Sequence, residues 1–311
     1  MTFAIAIHGG AGTIDRAEMS DELEAEFRAA LAQALEAGYE ALDRGGSAVD
    51  GVEAAIIALE DSPLFNAGRG SVLTHDGAIE MDASIMDGRG GRAGSVAGIV
   101  GVRNPIVAAR AVMTRSDHVL LAGAGATAFA TSLGLPMEPP EYFWTEHRYR
   151  QLVEARDKGE VALDHGSSGP RAEPALGTVG AVALDRNGDL AAGTSTGGMT
   201  NKRWGRVGDS PIIGAGTFAR NATCAVSCTG HGEYFLREAA AHAVSARMEY
   251  GRQSLEAAAK AVVFESLAPI GGEGGLIAID REGNVVLPFN SSGMYRGWKK
   301  AGGSEVCIWE R

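Results

Sequence analysis

The stretch AVALDRNGDLAAGTSTGGM at 181–199 is echoed in pattern by LIAIDREGNVVLPFNSSGM at 276–294, and more weakly by VLTHDGAIEMDASIMDG at 72–88. Each reads as an extended run, an Asp and Gly turn, and a second extended run. Asn-Gly and Asp-Gly pairs supply the positive φ angles that tight hairpins need, so the three stretches predict β-hairpins of one design. Repeated hairpins restrict the chain to antiparallel sheets, because parallel strands would require helical crossovers between them.

The remaining segments supply helices in blocks. Ser20 caps a predicted helix in which Leu23, Phe27, Leu31 and Leu35 recur every four residues, ending near Gly45. Ser47 and Asp50 open a second helix through Ile56 and Leu59, and Asn104-Pro105 starts a third. Helical patterns also run over 120–133, 142–156, 233–249 and 254–267, while 4–10, 79–86, 95–100 and 222–229 read as strands. Helices before and after hairpin-rich stretches predict an α+β fold in four layers, with two antiparallel sheets face to face and helices outside both. The hairpin echo on either side of 157–177 favours one sandwich over 1–311 rather than two domains.

Composition narrows the function. The chain of 311 residues is 45% hydrophobic, carries a formal charge of −11 without a basic block, and lacks an apolar run of membrane-spanning length. Nucleic acid and membrane are therefore not expected partners. The start MTFAIAIHGG reads as a buried strand instead of a signal peptide, so a cytoplasmic location is expected. Cys224, Cys228 and Cys307 lack metal-ligand spacing and are expected as reduced thiols.

The stretch DKGEVALDHGSSGPRAEPALG at 157–177 has no helical or strand period and predicts a long flexible connection. It ends at Gly177-Thr178, where the strand-like TVGAVAL begins. If the chain were cut there, the Thr178 hydroxyl would lie beside a free α-amine with a pKa of about 8. One residue would then supply both nucleophile and general base. Gly177 suits such a cut by admitting the strained backbone in which the hydroxyl attacks the preceding carbonyl. Taken from position alone, the plainer account is that Gly177 ends a loop and Thr178 starts a strand.

Motifs elsewhere favour the first account. HGGAGTI at 8–14, PLFNAGRGSV at 63–72, MDASIMDG at 81–88, GTVGAVALD at 177–185, TSTGGMTNKRWGRVGDSPIIGAG at 194–216, CTGHGE at 228–233 and GLIAIDREGNVVLPFNSSGMYRGW at 275–298 occur in order. With these the chain closely resembles, along nearly its whole length, the plant-type L-asparaginase/isoaspartyl peptidase family of N-terminal nucleophile hydrolases. The resemblance implies an αββα sandwich, self-cleavage into 1–177 and 178–311, hydrolysis of β-aspartyl amides, and a dimer of such two-chain units, a heterotetramer.

The motifs also carry readable chemistry. Arg206 and Asp209 in GRVGDS offer one cation and one anion, a match for the zwitterionic head group of an amino acid; outside this motif they would read as an exposed ion pair. Thr229, Gly230 and Gly232 in CTGHGE stand where a strand meets a helix N-terminus, a natural place for oxyanion donors or for an ordinary turn. The resemblance assigns the oxyanion hole to Thr229 and Gly230. By resemblance, many relatives carry threonine where His231 stands, which bears on substrate preference; since the Thr178 amine already serves as base, His231 itself is expected at the rim or in packing. Strand alternation puts Thr194 and Thr196 on one face and Ser195 on the other; by resemblance Thr196 bonds the nucleophile. Asn66 is expected to reach the site. By resemblance, main-chain oxygens of Leu59, Glu60, Ser62, Phe65, Ala67 and Arg69 hold a structural sodium ion, with no other cofactor, consistent with hard cations taking backbone oxygens. Gly9-Gly10-Ala11-Gly12 lacks the spacing of a dinucleotide loop and becomes, in the family reading, a glycine-rich loop near the site.

The expected activity is hydrolysis of β-aspartyl dipeptides and L-asparagine by Thr178, releasing L-aspartate. Glycosylasparaginase is disfavoured by the missing signal peptide and disulfide pattern. A threonine endopeptidase is disfavoured by Arg206 and Asp209, since an internal aspartate has no free head group. A non-catalytic binding module is disfavoured by Thr178, Thr196 and Thr229 occurring together.

Overall fold

The computed structural model describes residues 3–14, 16–17, 19–159, 161 and 177–309. In chain order the elements are β1 (Ala4–Gly12), α1 (Asp21–Asp43), α2 (Ala48–Glu60), β2 (Met81–Asp87), β3 (Ala93–Ile99), α3 (Pro105–Arg115), β4 (Leu120–Ala122), α4 (Gly123–Ser132), α5 (Pro140–Phe143) and α6 (Glu146–Lys158). After 162–176 come β5 (Val179–Leu184), β6 (Leu190–Thr196), β7 (Thr217–Ala219), β8 (Cys224–Gly230), α7 (Gly232–Glu238), α8 (Ala240–Glu249), α9 (Leu255–Lys260), β9 (Gly274–Asp280), β10 (Val285–Val286), β11 (Gly293–Lys300) and β12 (Gly303–Cys307).

Among the described residues the strands form two sheets, ordered β12-β11-β1-β5-β6-β2-β3-β4 and β10-β9-β8-β7. Pairings are antiparallel except β3 with β4. The small sheet packs on one face of the large one through β5, β6 and β1. Helices α1, α2 and α3 pack on the other face, and α8 and α9 cover the small sheet. The fold is therefore mixed α and β, with a sheet-to-sheet layer at its centre.

Side-chain size explains the layering. Along β1, Ile5 and Ile7 enter the apolar cluster shared with Phe27, Leu31, Val52 and Ile56 of the helices. Ala4 and Ala6 point the other way and meet Val226, Leu276 and Ala278 of the small sheet. Period two thus sends bulky residues toward helices and small ones toward the second sheet, letting the sheets approach closely. The caps form as expected: Ser20 Oγ accepts from Leu23 N, Ser47 and Asp50 make a reciprocal capping box, and Pro105 is the first residue of α3.

Several boundaries differ from the sequence reading. The stretch 72–78 holds a turn, with Thr74 N bonded to Ala78 O, and the hairpin lies downstream between β2 and β3. The predicted helix at 120–133 begins as β4, paired in parallel with β3. That at 142–156 is split at Trp144-Thr145, and that at 233–249 is broken at Ala239, whose φ of 47° is left-handed. The second hairpin leaves its sheet: β9 and β10 pair in the small sheet, while β11 crosses to β1 in the large one. Helix α6 extends to Lys158, with Gly159 in the left-handed C-terminal position. The connection expected over 157–177 otherwise lies mostly outside the described residues.

Among the described residues, no helix is long and apolar enough to cross a membrane. Cys224 and Cys228 are buried free thiols.

Candidate active site

Thr178 leads directly into β5, whose Val179 pairs with Ser195 of β6, so the nucleophile candidate stands beside the end of β6 at Thr196. The Thr178 hydroxyl donates to Thr196 Oγ1 at 3.1 Å, and Ser210 Oγ lies 3.5 Å from Thr178 Oγ1. Thr196 Oγ1 also accepts from Gly198 N at 3.0 Å, which fixes it as a partner for the incoming proton. As expected from alternation, Thr194 turns toward the small sheet and bonds Ser227, whereas Ser195 turns to the helices and donates to Glu60.

A pocket of about 20 Å³ is lined by Asn66, Gly177, Thr178, Thr196, Asp209 and Gly230, with Arg206 at its edge. That is room for about one water molecule. Gly177 itself lines it, pressed on one side by the glycine-rich loop: a Cβ at Gly10 would lie 2.5 Å from Gly177 N, and Gly10 has φ of 118°. The HGGAG loop thus belongs to the junction, and only glycine permits that approach. Asn66 joins the loop after α2 to the site, donating to Gly198 O at 2.8 Å and accepting from Val72 N at 3.0 Å.

Thr229 and Gly232 stand behind the pocket wall. Thr229 Oγ1 accepts from Ala11 N at 3.3 Å and would lie 3.1 Å from a Cβ on Gly177, so it flanks the junction. Gly230 closes β8 at φ of 147°, where a Cβ would strike Glu273 O at 2.3 Å. A Cβ at Gly232 would meet Asp209 Oδ1 at 2.8 Å and Arg206 Nη2 at 2.9 Å; this glycine lets the charged pair approach the start of α7.

The charged pair itself is arranged differently from the simplest expectation. Arg206 forks onto Glu233, Nε to Oε1 at 2.9 Å and Nη2 to Oε2 at 2.8 Å. His231 Nε2 reaches the same carboxylate at 3.3 Å, and its ring packs edge-on against Tyr234. Burial alone would raise Glu233, but the Arg206 hydrogen bonds and charge bring its pKa below the ordinary value. Asp209 is 4% exposed, and among the described residues its Oδ2 has no hydrogen-bond partner. Burial pushes its pKa up to about 7, with Arg206 only partly opposing. A buried acid with one open oxygen is poised to accept an ammonium group, whose arrival would restore its charge.

The loop after α2 folds tightly on its own main chain. A Cβ at Gly68 would lie 2.4 Å from Glu60 O, and one at Gly70 would lie 2.1 Å from Phe65 O and 2.7 Å from Pro63 O. Phe65 O and Ala67 O each accept one backbone hydrogen bond, from Ala67 N and Gly70 N. Glu60 is fully buried, and burial pushes its carboxyl up to about 8. Main-chain oxygens are the ligand type that hard cations take.

Sequence reasoning gave no role to Glu233, Ser210 or His8. Glu233 ends the quoted CTGHGE motif, and its place as an acidic residue in the first turn of a predicted helix was the available signal. His8 opens the quoted HGGAGTI and Ser210 ends GRVGDS, but their partners come from distant strands, so no role could be read for them.

The chain matches the family described as Asparaginase over residues 1–308. It is 56% identical over 298 residues to an isoaspartyl peptidase of Salmonella typhimurium, covering 96% of this chain and 95% of that one. It is 54% identical to an isoaspartyl peptidase of Escherichia coli, at 96% and 93% coverage. A probable isoaspartyl peptidase/L-asparaginase 2 of Arabidopsis thaliana is 45% identical, covering 99% of each chain. A match over nearly the full length, with the threonines and the charged pair meeting around Gly177, shows that this chain belongs to the asparaginase family of the isoaspartyl peptidase/L-asparaginase type.

Proposed function

We propose that this protein is a self-processing threonine hydrolase that cleaves β-aspartyl dipeptides and L-asparagine. The observation that carries the reading is the Thr178 hydroxyl, directly after Gly177, bonded to Thr196 in a pocket shared with Arg206 and Asp209. In self-processing, Thr178 Oγ1 attacks the Gly177 carbonyl carbon, the C–N bond breaks, and an ester links the two pieces. Water hydrolyses that ester, leaving a carboxylate on Gly177 and a free amine on Thr178. Departure of 1–177's end then opens a pocket that otherwise holds about one water.

In turnover, the substrate carboxylate meets Arg206 and its ammonium meets Asp209 Oδ2. The Thr178 amine takes the hydroxyl proton and Oγ1 attacks the side-chain carbonyl. Thr229 and the Gly230 amide stabilise the oxyanion. The amine product leaves with the proton, and water releases L-aspartate from the Thr178 ester.

The layered sheets and helices support a four-layer αββα sandwich of the N-terminal nucleophile type, processed as 1–177 and 178–311. The main-chain oxygens of the 59–70 loop support a structural sodium ion, which would brace Asn66 without joining the reaction. A cytoplasmic dimer of two-chain units completes the reading.

Intact-mass measurement of purified protein tests it. Two fragments are expected, the smaller beginning Thr-Val-Gly-Ala-Val, while Thr178→Ala stays whole and inactive. A wild-type chain that remains whole through long incubation at neutral pH, or an active Thr178→Ala, refutes the reading.

A further inference from the structure

Across the large sheet, register places His8 of β1 opposite Gly180 of β5, Gly180 opposite Thr194 of β6, and Thr194 opposite Ser84 of β2. In the small sheet Thr217 faces Ser227. These side chains form one hydrogen-bonded row between the sheets, and each polar member is buried at 0% exposure. His8 Nδ1 lies 2.9 Å from Thr178 O, and His8 Nε2 lies 2.9 Å from Ser227 Oγ. Ser227 Oγ is 2.7 Å from Thr194 Oγ1, which also bonds Thr217 Oγ1. Ser84 Oγ reaches Thr217 Oγ1 at 2.8 Å and Ser210 O at 2.6 Å.

Proton counting gives the row a direction. A carbonyl oxygen only accepts, so Nδ1 of His8 carries the proton donated to Thr178 O. Burial lowers the His8 pKa to about 3, so the ring is neutral and its Nε2 is a bare acceptor. Ser227 then donates to Nε2 and accepts from Thr194, whose one proton is shared with Gly216 O at 3.2 Å and which in turn accepts from Thr217. Ser84 heads the row, sharing one proton between Thr217 and the carbonyl of Ser210, the neighbour of Asp209.

We propose that this row is a positioning device, in which His8, held in one tautomer by Ser227 and Thr194, fixes the first carbonyl of the nucleophilic residue. The inference rests on the reading of Thr178 as nucleophile. A satisfied core histidine is the plainer account, but both ends of the row are informative. One end is the carbonyl of Thr178 itself. The other is the backbone beside the substrate-binding Asp209, and Ser210 Oγ also approaches Thr178 Oγ1. Gly180 supplies an independent sign: a Cβ there would lie 2.0 Å from Ser227 Oγ and 2.4 Å from His8 Nε2. The strand after the nucleophile thus leaves out a side chain where the imidazole and hydroxyl must meet. The Thr178 carbonyl survives cleavage, so the Nδ1–H bond persists in the two-chain enzyme. It then restrains rotation about Thr178 Cα–C, which would swing both the new amine and Oγ1.

The test separates the two ring nitrogens. Asparagine places its amide where Nδ1 sits, and glutamine places its amide where Nε2 sits. His8→Asn should retain kcat for β-Asp-Leu within about five-fold, whereas His8→Gln should lower kcat roughly 30- to 100-fold, as expected for a displaced nucleophile. KM should change little in either, with rates normalised to the mass-determined amount of the fragment starting at Thr178. Equal kcat in the two variants, or a loss confined to KM, overturns the proposal. Should the variants not fold, imidazole ¹⁵N spectra of the wild-type enzyme decide: a neutral Nδ1–H ring for His8 supports the row, and an Nε2–H ring refutes it. Thr178→Ala is run alongside; activity there would instead sink the nucleophile reading, whatever His8 does.

Discussion

Asp209 allows a quantitative test through pH. Its carboxyl is buried, one oxygen has no partner among the described residues, and its pKa is pushed up to about 7. Ionised Asp209 is the form that accepts a substrate ammonium. With that pKa, the ionised fraction in free enzyme is about 0.9 at pH 8 and about 0.1 at pH 6. This group alone should therefore lower kcat/KM for β-Asp-Leu roughly ten-fold over that interval, as kcat/KM reports free-enzyme ionisations. Once the ammonium binds, the opposite charge lowers the pKa of Asp209 and removes its limb from kcat. The kcat profile then keeps only the Thr178 amine, with a reference pKa near 8. The assay is leucine release from pH 5.5 to 8.5 across substrate concentrations. Asp209→Asn should lose the extra limb from kcat/KM. It should also lower kcat/KM by about 2 to 5 kcal/mol, roughly thirty-fold to several-thousand-fold, because a charge-assisted contact is gone. Superimposable pH profiles for kcat and kcat/KM in the wild type, or an unchanged limb in Asp209→Asn, would refute the assignment.

Further outcomes follow from the same geometry. Parallel assays should show turnover of β-Asp-Leu and L-asparagine but little of α-Asp-Leu or L-glutamine. The α-linked peptide has no free α-carboxylate for Arg206, and one added methylene shifts the glutamine carbonyl by about 1.5 Å; comparable turnover of either would contradict the clamp. Glu60, pushed up to about 8 by burial, holds its proton at neutral pH in the folded state but not in the unfolded chain. Its stabilising contribution is fully present below about pH 4.5 and is lost toward pH 8, at up to about 1.4 kcal/mol per unit. Glu60→Gln should therefore flatten the fall in stability from pH 5 to 8, measured by urea unfolding; an identical slope in both proteins would show that Glu60 is not the group. Gly180→Ala should lose roughly 1 to 3 kcal/mol of stability by overpacking against Ser227 and His8, and unfolding curves matching the wild type would contradict that contact.

The caps at Ser20 and Ser47, the proline opening α3 and the Asp-Gly or Asn-Gly turns were readable because each signal acts within a few residues. The same locality limited what could be read. A period-two pattern tells which residues share a face but not which sheet receives the strand. Thus 276–294 looked like one hairpin, although β9 joins β8 while β11 crosses to β1. A helical period likewise carries no sign of the left-handed Ala239 that divides α7 from α8.

At the site, motif order named Thr178, Thr196, Thr229, Arg206 and Asp209 as chemically apt residues. Which atoms meet was decided by packing. Arg206 forks onto Glu233, 27 residues away, and buried Asp209 has one oxygen that no described protein group reaches. His8 finds Ser227 across 219 residues only when the two sheets stack in one register. Residue type fixes what a side chain can donate or accept. Its partner and pKa depend on burial and on neighbours brought from distant strands, and those exist only once the sheets have packed.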